Sequence, residues 1–272
     1  MKKTAKKQFT ILLVIVMIIS MFPLYVSANQ SVDISAVSLT NLRNAVSTAS
    51  FGETVTVSGT ASSTVTLSLN IPEGVTVVWG AAFSGTPSPL IDVYGKGSFR
   101  VVPGGNIENT GTGNSYIALR ANDDIFVEIS GGTVKAGLGT AIEGTGAGTT
   151  VTVSGGSVVN TATHNLRPVI NMTNPNLTPA YVPPDPPPVN VTVNGGTVSA
   201  RAVGDTVYGY AIQTYGSVLV DGDGEVSTYG GYGRGINLVG KYSVAWIAGG
   251  KVVASGVNGV AISTATTTGV DV

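Results

Sequence analysis

Three carboxylates at alternate positions, Asp221, Asp223 and Glu225 in the run D-G-D-G-E, form the best acidic cluster of this 272-residue chain. On a strand, alternate side chains project to one face, where a hard cation such as Ca²⁺ could bridge them or a carboxyl pair could work on a glycosidic bond. The run lacks the spacing of a calcium loop and carries a glycine at each intervening position, so solvated turn carboxylates are the favoured reading. A second group is aromatic: Tyr208, Tyr210, Tyr215, Tyr229, Tyr232, Tyr242 and Trp246 gather in the last third. Such rings offer an apolar face with a polar handle, suited to sugar rings, and Gln213, Arg234 and Asn237 stand nearby to bond hydroxyls. Filling a core or covering glycine corners is the competing use of the same rings. The expected contacts are therefore Tyr208, Tyr210, Tyr229, Tyr232 and Arg234 for a ligand, and Asp221, Asp223 and Glu225 for a metal.

Other chemistry is thinly supplied. There is no cysteine, which removes thiol catalysis and any disulfide framework, and His164 is the single histidine, so a His-based metal site or triad lacks its partners. Arg120 and Arg201, like Arg234, suit contact with an acidic sugar, but none sits in a recognisable catalytic signature. Asp123 and Asp124 precede an alternating segment and read as turn residues. As neighbours they would point to opposite faces of a strand, which weakens them as a catalytic pair. No catalytic residue is assigned, and no cofactor is expected beyond a Ca²⁺ ion.

Residues 1–28 have the layout of a secretory signal: Lys2, Lys3, Lys6 and Lys7, an apolar stretch from Phe9 to Phe22, then Val26-Ser27-Ala28 before Asn29. The apolar stretch is short for a spanning helix, so cleavage is expected, with no membrane attachment afterwards. Four of the 14 Lys and Arg lie in this leader and none of the 15 Asp and Glu does. The mature chain thus carries 10 against 15, a charge of about −5. That balance argues against nucleic acid as a partner. The lysine-rich start and the lack of cysteine suit a Gram-positive bacterial exoprotein.

What must position these groups is a repeat. The phrase apolar-x-apolar-x-Gly-Gly-x-Val occurs as V-E-I-S-G-G-T-V from Val127, V-T-V-S-G-G-S-V from Val151 and V-T-V-N-G-G-T-V from Val191, with looser copies from Val101, Val218 and Ala245. Its second glycine position falls at Gly105, Gly132, Gly156, Gly196, Gly224 and Gly250, steps of about 25 residues with one long exception. Each unit also has a later apolar patch, such as Ile117 to Leu119, Ala141-Ile142, Ala211-Ile212 and Ile236 to Leu238. Alternation marks half-buried strands. Two or three short strands cannot bury their own face, but stacked units align into parallel sheets around one core, with glycines at the corners. The long step holds N-M-T-N-P-N-L-T-P-A-Y-V-P-P-D-P-P-P, residues 171–188, where proline cannot donate to a ladder. It reads as a loop excursion from one rung.

Leu39, Leu42, Ala45, Val46 and Ala49 recur at helical spacing, which predicts one amphipathic helix over 38–50, placed to cap the first rung. The run L-T-N-L-R-N-A-V-S-T-A-S-F-G-E-T-V-T-V followed by L-N-I-P-E-G-V-T-V resembles the amino-terminal cap and first rungs of the pectate-lyase-like superfamily, and the V-T-V-S-G-G-T-V units resemble glycine-rich rungs in secreted or surface-attached proteins of Firmicutes. The resemblance implies an all-β chain: a single-stranded right-handed parallel β-helix (β-solenoid) with an N-terminal capping helix, occupying 29–272 in about eight rungs. It carries little about activity, since one fold hosts many functions. The expected role is a secreted or cell-surface module, structural or adhesive, that meets a polysaccharide or cell-surface glycan. A polysaccharide lyase or glycoside hydrolase acting on an acidic polysaccharide is the alternative, with Asp221, Asp223, Glu225 and Arg234 as its groups. An ice-binding hydroxyl ladder is disfavoured by the uneven rung lengths. The segment T-T-T-G-V-D-V closes the chain without a recognisable cap, so the stretch reads as the front part of a longer protein.

Overall fold

A computed structural model describes residues 29–161, 167–172, 189–201, 208–240 and 243–264. The expected leader, His164, Tyr242 and residues 173–188 of the proline-rich segment lie outside the described residues. After β1 (Gln30–Asp33) and α1 (Leu39–Ser47), coil one is β2 (Thr54–Ser58), β3 (Thr60–Ser63) and β4 (Leu67–Ile71). Coil two is β5 (Thr76–Trp79), β6 (Ala82–Gly85) and β7 (Ile91–Gly95), and coil three is β8 (Ser98–Val101), β9 (Asn106–Asn109) and β10 (Ile117–Ala121). Coil four is β11 (Phe126–Ala136) and β12 (Thr140–Gly144), and coil five is β13 (Thr150–Asn160) and β14 (Pro168–Met172). Coil six is β15 (Val189–Val193), β16 (Thr197–Arg201) and β17 (Tyr210–Thr214). Coil seven is β18 (Ser217–Val220), β19 (Glu225–Tyr229) and β20 (Arg234–Leu238), and coil eight is β21 (Ala245–Ile247), β22 (Lys251–Ala254) and β23 (Val260–Thr264).

The result is a parallel β-solenoid of eight coils. Equivalent strands of successive coils pair in parallel and build three lateral faces. Face 1 collects the first strand of each coil, face 2 the second and face 3 the third. Faces 1 and 2 are continuous because β11 and β13 bend through the corner between them without breaking. At about 4.8 Å per coil, the seven steps from first coil to last span roughly 34 Å.

The apolar-x-apolar positions before each Gly-Gly point inward and stack in register. Val57, Trp79, Val101, Ile129, Val153, Val193 and Val220 form one such column, each without solvent exposure. Burying each side chain contributes about 1.5–3 kcal/mol, which a lone coil would forfeit on both its open sides. Face 3 supplies the opposing column through Leu69, Val93, Ala121 and, one register step over, Leu119, Ile142, Ile170, Ile212 and Ile236. Near the first coils the core is aromatic: Trp79 lies 5.7 Å from Phe99 and 5.9 Å from Phe83 between ring centroids, and its Nε1 donates to the Ala81 carbonyl at 3.0 Å.

The Gly-Gly corner has a steric cause. At Gly132 and Gly156 the backbone is left-handed, with φ of 67° and 66°. A Cβ on Gly132 would overlap the Gly105 carbonyl oxygen one coil below, and one on Gly156 would stand 2.5 Å from the Gly132 oxygen. Corner backbone thus rests on corner backbone, leaving no room for a side chain in the column.

α1 covers the open end of coil one, as the sequence predicts, but is shorter than 38–50. Ser38 caps it, its hydroxyl accepting from Asn41 N–H at 3.4 Å, and Thr48 closes the last turn by donating from N and Oγ1 to the Asn44 carbonyl. Leu42 and Val46 are fully buried against β4 and β1, and Arg43 Nη2 donates to the Thr66 carbonyl at 2.9 Å. The proline-rich excursion also begins later than residue 171: Asn171 and Met172 still belong to β14, where Asn171 pairs in register with Glu143 and Gln213.

Outward charges pair from coil to coil. Arg100 meets Glu128 at 2.6 Å on face 1, Lys135 meets Glu108 at 2.7 Å on face 2, and Arg120 meets Glu143 at 2.8 Å on face 3. Each pair occupies equivalent positions of neighbouring strands, the arrangement in which opposite charges help a sheet by about 0.2–1 kcal/mol. The same pairing interrupts the threonines of face 1: the outward row Thr56, Val78, Arg100, Glu128, Thr152 is no continuous hydroxyl ladder.

Candidate functional site

The corner between faces 2 and 3 in coils six and seven gathers most of the aromatic group. Glycines create it: in Y-G-G-Y-G-R, residues 229–234, Gly230 has a φ of 128°, Gly233 N–H returns to the Gly230 carbonyl at 3.2 Å, and a Cβ on Gly233 would overlap the Thr228 hydroxyl. A turn this tight leaves the flanking tyrosines nowhere to bury. Tyr208 and Tyr232, one coil apart, stack with 5.0 Å between centroids and 22° between planes, and remain 40% and 37% exposed. Tyr229, on the same turn, is 45% exposed and stands in register with exposed Arg201 of the coil below.

Tyr210 is half-buried. It pairs in register with Arg234, whose guanidinium carbon lies 5.8 Å from the Tyr210 ring centroid. Arg234 Nη1 in turn donates to Asn237 Oδ1 at 3.4 Å, Asn237 Nδ2 donates to Gln213 Oε1 at 3.1 Å, and Ser263 Oγ donates to Asn237 Oδ1 at 2.9 Å. Gln213, Asn237 and Ser263 are one outward column on face 3. The corner thus holds a stacked aromatic pair, a third open ring, two guanidinium groups and an amide row whose members orient one another. This set can cover apolar ring faces, donate to hydroxyls and attract an anion.

The acidic run lies elsewhere. Asp221 to Gly224 form the turn between faces 1 and 2, with Asp221 Oδ1 accepting from Gly222 N–H at 2.7 Å and Asp223 exposed. Glu225 opens β19 on face 2 and faces Lys251 of the next coil at 3.7 Å. The D-G-D-G-E run is therefore mostly turn, and the structure does not bring Asp221, Asp223 and Glu225 together with Arg234, which stands on face 3. Among the described residues no group of three or more His, Asp or Glu side chains is arranged to hold a metal ion. Asp123 is a corner residue with a φ of 60°, and its Oδ2 accepts from Gly95 N–H at 3.2 Å.

A second polar group was not legible in the sequence. Asp92, Arg120 and Glu143 occupy equivalent outward positions of coils two, three and four on face 3. Beside them run Asn70, Tyr94, Asn122 and Thr145, with Asn70 and Tyr94 in register and Asn122 N–H donating to the Val93 carbonyl at 2.9 Å. Asp92 Oδ1 accepts from Asn122 Nδ2 at 2.6 Å, and Asn122 Oδ1 accepts from the Thr145 hydroxyl. Burial pushes the Asp92 carboxyl above its ordinary range, against the pull of the Asn122 bond and of Arg120. Alternation alone marks residues 92 and 94 as outward. The alignment of Asp92 with Arg120 and Glu143 was hidden because the intervening coils differ in length.

Among the described residues no helix is long and apolar enough to cross a membrane. No known protein family, no characterised protein and no solved structure matches the chain.

Proposed function

We propose that the chain is a secreted or cell-surface adhesive module of the pectate-lyase-like β-helix type, a rigid rod that holds glycans at the corner of coils six and seven. The observation that carries this reading is the stacked, exposed pair Tyr208 and Tyr232 at a corner that also carries Arg201, beside Tyr229, and Arg234, beside Tyr210. Stacking and the glycine turn fix the rings before any ligand arrives, so little ordering cost is left for binding. The two arginines favour acidic sugar units, and the half-buried Gln213 amide, held by buried Asn237, supplies hydroxyl contacts. The Firmicutes-like glycine-rich rungs and the leader over 1–28 support export. A glycan array probed with the mature chain, with and without Ca²⁺, tests the proposal. Retention of acidic glycans irrespective of Ca²⁺ is the expected result, and retention of none leaves a purely structural stalk.

A further inference from the structure

The polar group on face 3 of coils two to four is separate from the tyrosine corner: Tyr94 in coil two lies four coils before Tyr208 in coil six, roughly 19 Å along the rod. Its layout is a grid. Along the rod, neighbours are separated by the coil spacing of about 4.8 Å, and across each strand alternate residues are separated by about 6.6 Å. One line of the grid is Asn70, Tyr94, Asn122; the other is Ser68, Asp92, Arg120, Glu143. Tyr94 is 37% exposed on a sheet face whose other outward residues here are polar, and no core column needs its ring. Arg120 is committed to Glu143 at 2.8 Å. Asp92 is not committed in the same way: one oxygen accepts from Asn122, and among the described residues no second side-chain or backbone donor reaches the carboxylate.

We infer that this patch is a second saccharide site, built for a neutral sugar unit that lays its apolar face on Tyr94 and donates hydroxyls to Asp92. The aromatic ring covers C–H groups, the carboxylate accepts from adjacent hydroxyls, and Asn70 and Asn122 provide amide donors and acceptors on either side. With Glu143 neutralised by Arg120, the Asp92 charge repels an acidic sugar, the reverse of the preference set by Arg201 and Arg234. Desolvation of Asp92 fits a carboxylate short of donors, which sugar hydroxyls would supply. The inference rests on its own residues and stands or falls independently of the tyrosine corner.

Saturation-transfer NMR with the mature chain and a panel of neutral gluco-, manno-, xylo- and galacto-hexasaccharides tests it. At least one panel member is expected to receive saturation at its ring protons. Tyr94→Ala is expected to abolish that transfer, Asp92→Asn to weaken affinity about tenfold, the loss typical of a charge-assisted bond, and Phe126→Ala, which removes an exposed ring on face 1 outside both sites, to leave it unchanged. Far-UV circular dichroism and melting temperature confirm that the variants keep the fold; a Tyr94→Ser variant replaces Tyr94→Ala if the latter does not. Transfer that persists without the Tyr94 ring, transfer from no neutral hexasaccharide, or transfer from acidic oligosaccharides alone that depends on Tyr94 would each overturn the inference.

Discussion

Tyr208 and Tyr232 stack at 5.0 Å with 22° between their planes because the solenoid places the start of one coil's third strand directly over that of the coil before. The same stacking rule explains the ion pairs, the glycine column and the amide row. A residue's neighbour in this protein is the one in the next coil, and the corner glycines keep that spacing close enough for side chains to meet.

Gly132 tests the rule most simply. Ala at this position places a Cβ against the Gly105 carbonyl in a left-handed backbone, and we expect a loss of about 2–4 kcal/mol in chemical denaturation. Gly52, with a φ of 86° and open space around it, gives the control: Gly52→Ala is expected to lose only about 1 kcal/mol, the backbone strain alone. Equal losses at the two sites would mean that contact between corners is not what selects glycine.

The cap is tested at Leu42. This side chain is fully buried between α1 and the first coil, so Leu42→Ala is expected to lower unfolding free energy by about 2–5 kcal/mol. Loss of the cap also bares the edge of coil one, and the variant should self-associate in analytical ultracentrifugation. A variant as stable and as monodisperse as the parent would show that the helix is not a structural lid.

Among the described residues, the buried Thr228 hydroxyl, directly under the Gly233 turn, has no hydrogen-bond partner. Removing the unmet polar atom at nearly constant shape should help. We expect Thr228→Val to raise stability by about 1 kcal/mol, read as a higher denaturant midpoint with an unchanged slope. A clear destabilisation would place an unseen partner on that oxygen.

Asp92 gives a pH dependence with a definite sign. Its folded pKa is raised by burial, so the ionised form is disfavoured in the folded state. The resulting penalty is fully present above the folded pKa and disappears as pH falls through it toward the unfolded value. Arg120 on the adjoining strand and Glu143 one strand further along pull in opposite directions. Asp92→Asn should therefore be more stable than the parent at pH 7, with the advantage shrinking in mildly acidic buffer and gone below pH 4, near the ordinary aspartate range. An advantage that grows on acidification would reverse the assignment.

The coil count could be read from the sequence because the Gly-Gly corner is both sterically unique and nearly periodic. The face 3 core was legible for a similar reason: patches such as Ala141-Ile142 and Ala211-Ile212 are short buried runs that a loop would not carry. The helix was legible from its period and its start, which falls at the Ser38 cap; its end was not, because Thr48 closes it before residue 50 by donating from N and Oγ1 to the Asn44 carbonyl. Tyr208, Tyr232 and Arg234 could be named but not arranged. Arg120 could likewise be named but not arranged, and Asp92 and Glu143 escaped, since their alignment depends on how many residues each corner consumes. The D-G-D-G-E run was legible as turn carboxylates, and the strand-face alternative fails because the corner falls inside the run and only Glu225 belongs to a strand.

The measurement closest to the central claim is a side-by-side glycan array of the mature chain and of the Tyr208→Ala, Tyr232→Ala double variant, both shown to be folded by their melting curves. The glycan-binding rod predicts that the parent retains acidic glycans and that the double variant loses at least tenfold in apparent affinity for them, about 1.4 kcal/mol. Retention unchanged by loss of both rings would contradict the account.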